Sequence, residues 1–180
     1  MWRSIGTVVS MVGLLVFLIP ATAAAEQKFQ YKHSTPPQSS RYVQQHIIDV
    51  DDMPGHQIRI LEVLRKYTSD HPVISGIKVV ESMVRGFSDY TNGVGPAQGY
   101  STWLLEDGNK VHLKWSGTSY TKVTSTGARE GTYNGTTYLI GGTGKFARIR
   151  GVLTETSDFN TDPDNGYNNS SSHGEYWFVE

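Results

Sequence analysis

The sequence predicts an all-β protein built as an antiparallel barrel or a sandwich. Turn signals recur at short intervals, the segments between them alternate apolar and polar residues, and glycine, threonine and aromatic residues are frequent. Many short strands at hairpin spacing are typical of both architectures. We favour an antiparallel barrel of about eight strands, because closure removes exposed strand edges.

The N-terminal 25 residues have the regions of a secretory signal peptide. Arg3 supplies a positive charge, an apolar run follows over residues 8–19, and the small-residue stretch ATAAA fits a cleavage site. The apolar run is short for a membrane span, which needs about 20 residues. We therefore expect a secreted or periplasmic protein that begins at Glu26 and has no membrane partner after cleavage.

Composition narrows the classes of partner. Removal of the predicted 25-residue signal peptide from the 180 residues leaves enough chain for one domain. The sequence contains no cysteine, and a secreted domain without disulfides is more typical of a bacterial source than of an animal one. Lys and Arg number 16, or 15 without Arg3, against 17 Asp and Glu. No basic stripe is present, so we expect no nucleic-acid partner.

The domain begins after a polar segment. Residues 26–41, EQKFQYKHSTPPQSSR, predict a flexible leader, and residues 42–180 predict a single β-barrel domain. Within that domain, GHQIRILEVLRKYT over 55–68 fits a helix or a strand. We favour a strand, with Ile58, Ile60 and Leu64 on the same face.

The next segments alternate more clearly. In GIKVVESMVRGF, residues 76–87, Ile77 and Val79 share a strand face with Met83. GYSTWLLEDGNKVHLKWSGT, residues 99–118, predicts a hairpin that turns at Asp107-Gly108-Asn109.

The loop YLIGGTGKFARIRG, residues 138–151, resembles a dinucleotide-binding turn in its Gly-x-Gly-x-x-Ala spacing. Gly151 interrupts any helix after the turn, and 36 residues after Gly144 are too few for the remaining sheet. We therefore expect no nucleotide cofactor. The glycines instead predict a tight reversal between two strands, with Gly151 at a bulge or a close backbone approach and Phe146 sealing the barrel end. The structural turn residues are Gly141, Gly142, Gly144, Phe146 and Gly151.

The segment GGTGKFARIRG is similar to a signature of dirigent proteins and allene oxide cyclases. That resemblance implies an eight-stranded antiparallel barrel with an apolar lumen, which binds hydrophobic small molecules and steers cyclisation or radical coupling by its shape. It transfers no catalytic residue, because the motif is structural in those families.

The candidate site consists of charged and aromatic residues, and its charged residues share a predicted strand face with apolar residues. Glu81 and Arg85 share the predicted face of Val79, and Glu175 shares that of Trp177. Such charges, if they face the lumen, must be paired or have shifted pKa values; if a bulge shifts the register, they face water. The catalytic candidates are Glu81, Arg85, Tyr133 and Glu175. The candidate ligand-binding residues are Trp103, Trp115, Tyr120 and Trp177.

No metal site is expected. The six histidines show no metal-ligand spacing. Oxygen ligands alternate within residues 158–172, but Pro163 and Asn169 replace the glycine and glutamate of an EF-hand loop.

Two functions are favoured. The first is a barrel that binds a hydrophobic or aromatic small molecule in its lumen, and the second is a cofactor-free cyclase or isomerase that acts through pocket shape. An accessory protein with a filled core and a homo-oligomer are left open.

Overall fold

The computed structural model describes residues 27–35, 40–125, 127–160 and 167–180. The predicted signal peptide, residues 1–25, lies outside the described residues. Within the described part, no helix is long and apolar enough to cross a membrane. The strands are β1 Phe29–Thr35, β2 Ser40–Asp49, β3 His56–Lys66, β4 Val73–Ile74, β5 Ile77–Thr91, β6 Val94–Leu105, β7 Lys110–Val123, β8 Arg129–Gly142, β9 Ile149–Asn160 and β10 Tyr167–Phe178.

Nine of these strands form one antiparallel sheet. Its order is β1-β10-β9-β8-β7-β6-β5-β3-β2, and the short β4 pairs with β5 beside this path. The all-β antiparallel prediction is confirmed. The described residues contain ten strands rather than about eight, because the polar leader contributes β1 and a two-residue strand precedes β5.

The flexible leader predicted over residues 26–41 is wrong for residues 29–35, which form β1, and for residues 40–41, which begin β2 ahead of the predicted domain start at residue 42. Strand β1 pairs with β10 from Phe29↔Tyr176 to Thr35↔Ser170. Tyr31 is buried, and alternate aromatic side chains give β1 one apolar face. The alternation covers only a few residues of a segment that is polar overall, so the composition of the segment did not indicate a strand.

The sheet curls until distant strands meet. Arg65 on β3 lies 3.9 Å from Glu155 on β9, and the rings of Tyr31 on β1 and Trp103 on β6 stack with centroids 5.7 Å apart. Strands that are several places apart in the sheet can only touch if the sheet wraps around a common interior. The path ends at β1 and β2, and no ladder joins those two strands among the described residues. The architecture is therefore barrel-like but not closed by hydrogen bonds.

The packed core lies beside the β6–β7 and β8–β9 turns. Phe146 is 0% exposed and packs with Val111, Leu105 and Ile149 in one cluster of buried residues. The predicted β6–β7 hairpin is confirmed, with Gly108 at a φ of 81° in the turn. This end of the barrel is filled, which leaves the remaining interior for a site.

The glycine turn joins β8 to β9, as predicted. Gly144 has a φ of 52° and opens a 3₁₀ turn of three residues, too short for the helix of a dinucleotide fold. Gly151 is a close approach, because a Cβ there would lie 2.8 Å from the Glu175 carbonyl oxygen. Phe146 is fully buried in the core cluster beside this turn.

Candidate functional site

The curled sheet encloses a cavity of about 140 Å³, and each of the nine strands of the sheet contributes to its wall. The wall mixes apolar side chains with hydroxyls and charges, whereas the family resemblance implied an apolar lumen. The ionisable residues of the wall are Tyr31, His33, Tyr42, Arg59, Arg65, Tyr67, Tyr90, Tyr133 and Glu155.

Strand β3 supplies both arginines. Residues 55–68 contain a strand, as favoured, but the face of Ile58 and Ile60 is the outer one, and Ile60 is 59% exposed. The inner face carries Arg59, Leu61, Val63 and Arg65. Because both faces of this strand hold apolar residues, apolarity alone did not show which face lies inside.

Arg65, Glu155 and Thr137 form the polar centre of the cavity. The Arg65 Nη1 atom lies 3.9 Å from Glu155 Oε1, and the Thr137 hydroxyl donates a hydrogen bond of 3.2 Å to Glu155 Oε2. The arginine and glutamate side chains are only 16% and 19% exposed. Charges with this little hydration need partners, and each is the other's counter-ion.

The neighbouring tyrosines are held neutral. Burial raises the pKa of Tyr133, and Glu155 and Tyr90 raise it further. Burial also raises the pKa of Tyr31, with smaller contributions from Tyr67 and Glu155. At neutral pH both phenols therefore keep their protons and can donate hydrogen bonds.

His33 responds to burial in the opposite direction. Desolvation lowers the pKa of His33, because the imidazolium loses its hydration. Asp70 opposes that effect, and Arg65 adds to it. We therefore expect a neutral imidazole at neutral pH, so the formal charges of the wall belong to Arg59, Arg65 and Glu155.

Two glycine pairs accommodate the aromatic rings of the wall. Gly86 pairs with Gly99 across β5 and β6, and a Cβ on either would lie 2.6 to 2.7 Å from the Trp115 ring. Gly117 pairs with Gly135 across β7 and β8 in the same way beneath the Tyr133 ring. The missing side chains let both rings lie close to the sheet, and the rings meet edge to face with centroids 6.1 Å apart.

We expect Gly86→Ala to lower the free energy of unfolding by about 1–2 kcal/mol, since its methyl group would force Trp115 away from the sheet. The added Cβ would lie 2.6 Å from two Trp115 ring atoms, and the nearest backbone atom would be 3.2 Å away. Urea denaturation followed by circular dichroism measures the loss. In a Trp115→Leu background the same substitution should have a smaller effect. Equal losses in both backgrounds would mean that Trp115 is not the obstacle.

Several polar atoms of the wall are buried without a partner. Within the described residues, no hydrogen-bond partner lies near these atoms: His33 Nε2, Arg59 Nε, Arg65 Nε, Trp115 Nε1 and Tyr133 Oη. An unsatisfied buried polar group costs about 1–3 kcal/mol, so such groups rarely gather by chance. The arginine, tryptophan and tyrosine atoms are donors, and together they favour a ligand that accepts hydrogen bonds.

Of the four catalytic candidates, one lines the cavity and three lie outside it. Tyr133 lines the cavity. Glu81 and Arg85 lie on the outer face, because the β5–β6 register shifts between Val79 and Glu81 and brings Ser82 inward instead. Arg85 forms an ion pair of 2.6 Å with Glu62. The lumen-facing alternative for these two charges is therefore wrong.

Glu175 is also outside the cavity. Its side chain pairs with Lys28 at 2.5 Å and is 36% exposed, while its neighbour Tyr176 is buried. Successive residues of a strand point to opposite faces, so Glu175 faces solvent.

The ligand-binding candidates divide evenly. Trp103 and Trp115 line the cavity. Tyr120 is 54% exposed and alternates with the cavity residue Ser119, so it faces outward. Trp177 is not part of this wall, and the Lys28 ammonium lies 5.3 Å from its ring centroid.

The charges that do face the cavity were not predicted. Glu155 is in phase with Leu153 and Phe159 on β9, a signal present in the sequence. Arg59 and Arg65 had no such signal, since β3 carries apolar residues on both faces. Among the described residues, no group of three or more His, Asp or Glu could hold a metal ion. The calcium-like segment 158–172 includes residues 161–166, which lie outside the described part.

The fold and the cavity define a barrel-like all-β protein with a small polar-aromatic lumen. No family model and no curated protein matches the sequence. Among solved structures, the chain is similar to the pterocarpan synthase dirigent protein GePTS1, at 13% identity over 92% of this chain and 98% of that one, with a TM-score of 0.42. It is also similar to the pterocarpan synthase dirigent protein PsPTS1, at 15% identity over 85% and 96% of the two chains, with a TM-score of 0.39.

Proposed function

We propose that this protein binds a small molecule with an aromatic or other apolar ring in its lumen. The observation that carries the proposal is the set of unpartnered buried donors among the aromatic side chains of one cavity. Sites for small molecules combine apolar walls with a few convergent polar groups in the same way. The signal-peptide features of residues 1–25 support export as part of this proposal.

The size of the cavity limits the ligand. A volume of about 140 Å³ is close to the roughly 150 Å³ that accommodates benzene in a protein core. The rings of Trp115 and Tyr133 form part of the wall, and a flat ligand can pack against them. One six-membered ring with a small substituent therefore fits this space.

Filling the cavity should abolish binding. Ser119 is 3% exposed and lines the cavity, so the ring of Ser119→Phe would occupy the space that the ligand needs. We expect the amount of co-purifying ligand in native mass spectrometry to fall at least about tenfold, because the new ring occupies the place in which the ring of the ligand would make its contacts. Ser116→Phe, an exposed position on the outer face of the same strand, is the matched control. Equal ligand content in both variants would place the binding site elsewhere.

A second candidate function is isomerisation or cyclisation, and Glu155 favours it. Its carboxylate can accept a proton, and the Tyr133 hydroxyl, which keeps its proton at neutral pH, can donate a hydrogen bond to an oxygen atom of the ligand in the same cavity. Chromatography of the ligand before and after incubation with the protein separates the two functions. A binding protein returns the ligand unchanged, whereas an isomerase returns an isomer of the same mass.

A further inference from the structure

The fixed charges in the cavity wall do not balance. Two arginines, Arg59 and Arg65, face the same interior as a single carboxylate, Glu155. Glu155 lies beside Arg65, at 3.9 Å. Arg59 therefore contributes a positive charge that no carboxylate of the cavity wall neutralises.

The surroundings of Arg59 are aromatic rather than acidic. Its guanidinium carbon lies 5.9 Å from the ring centroids of both Tyr42 and Tyr90. Its Nη1 atom donates one hydrogen bond of 3.2 Å, to Gln45 Oε1. Its Nε atom is buried, and no carboxylate of the described residues lies within ion-pair distance of the side chain. Two tyrosine rings and one amide only partly replace the hydration of a guanidinium.

The aromatic wall continues from Arg59 to the ring-binding part of the cavity. Tyr90 lies beside Arg59 and lines the same cavity as Tyr133, which meets Trp115 edge to face. A ligand whose ring packs against Trp115 and Tyr133 can thus extend a substituent toward Arg59. Planar carboxylates match the fork of donors on a guanidinium and form its strongest hydrogen bonds.

We propose that the lumen takes a single-ring carboxylate of the benzoate class, with the carboxylate bound by Arg59 and the ring against Trp115 and Tyr133. The proposal rests on the proposed function, which requires only that a small molecule binds in the lumen. It adds the charge of the ligand and the residue that recognises it.

Isothermal titration calorimetry with benzoate and with benzyl alcohol, a neutral probe of similar size, tests the proposal. We expect benzoate to bind the protein about 10- to 100-fold more tightly than benzyl alcohol, since hydrogen bonds to charged groups are the stronger ones. Arg59→Met should remove this preference and leave the affinity for benzyl alcohol within about threefold. Arg148→Met, at an exposed arginine after the glycine turn, should change neither affinity.

The outcomes separate the two proposals. Equal affinity for benzoate and benzyl alcohol would overturn the anionic ligand and leave lumen binding intact. Failure of both probes to bind would overturn the benzoate-class ligand, whereas lumen binding itself would be overturned by equal ligand content in Ser119→Phe and Ser116→Phe. Displacement of benzoate by sulfate at equal concentration would show that the ring has no part in recognition and would overturn the ligand class. Arg59→Lys, which keeps the charge but lacks the planar fork, should bind benzoate with intermediate affinity if Arg59→Met does not fold.

Discussion

Replacing Phe146 by alanine should lower the free energy of unfolding by about 3–5 kcal/mol, the largest effect we expect from any single substitution in this protein. The Phe146 ring is 0% exposed and lies 6.1 Å from the ring of Phe178, measured between centroids. The ring extends from the turn between β8 and β9 into the cluster of buried residues that contains Leu105 and Val111. Its loss would therefore leave a cavity in that cluster. Urea denaturation, followed by tryptophan fluorescence and circular dichroism, measures the change.

Phe87→Ala is the matched control for this experiment. Phe87 lies on the outer face of β5 and is 36% exposed, so its removal should lower the free energy of unfolding by about 1 kcal/mol or less. A loss at Phe146 no larger than the loss at Phe87 would mean that the glycine turn does not hold its aromatic residue in the core.

Local turn chemistry explains which parts of the fold could be predicted from sequence. The β6–β7 hairpin turns within the predicted Asp-Gly-Asn segment, where Gly108 has a φ of 81°. The β8–β9 reversal depends on Gly141 and Gly144, whose φ values of 142° and 52° disfavour other residues. Both turns are specified by neighbouring residues, and neither needs information from a distant strand.

Strand faces were harder to predict, because a bulge reverses every face beyond it. Ile77, Val79 and Met83 share one predicted face with Glu81 and Arg85, and the sequence left open whether that face lines the lumen or a bulge turns the two charges to water. The register shifts between Val79 and Glu81, and Val79 and Ser82 are the buried residues. The extra residue at this bulge therefore places Glu81 and Arg85 on the outer surface instead of in the lumen.

The polar centre of the site depends on how the sheet curls. Arg65 and Glu155 are 90 positions apart in the chain and belong to β3 and β9, which are not adjacent in the sheet. Alternation on β9 places Glu155 on the face of Leu153, but no local pattern identifies its partner. Trp103 and Trp115, named as ligand-binding candidates, and Tyr133, named as a catalytic candidate, line the cavity, in keeping with a preference of large aromatic side chains for buried positions. Tyr120 and Trp177 show that this preference alone does not decide the face.

The curled sheet brings Arg65 and Glu155 together. We therefore expect a double-mutant cycle to show that their contributions to the free energy of unfolding are coupled. Glu155→Leu leaves the Arg65 guanidinium without its counter-ion in the lumen, and we expect the free energy of unfolding to fall by about 2–3 kcal/mol. This range lies below that of fully buried pairs because the two side chains keep 16% and 19% exposure and their atoms are 3.9 Å apart. Arg65→Met should have an effect of the same sign, since it leaves the carboxylate unpaired.

The double variant Arg65→Met/Glu155→Leu should lose less stability than Glu155→Leu alone, because it removes both charges and leaves apolar side chains in their place. The surface pair Lys28 and Glu175 is the control: its atoms are closer, at 2.5 Å, but its side chains are 51% and 36% exposed. Replacing Glu175 by glutamine should therefore change the free energy of unfolding by about 1 kcal/mol or less. If losses at positions 65 and 155 simply add, the two charges do not interact and β3 does not meet β9 across the lumen. A larger loss at Glu175 than at Glu155 would show that the separation of the charges matters more here than their burial.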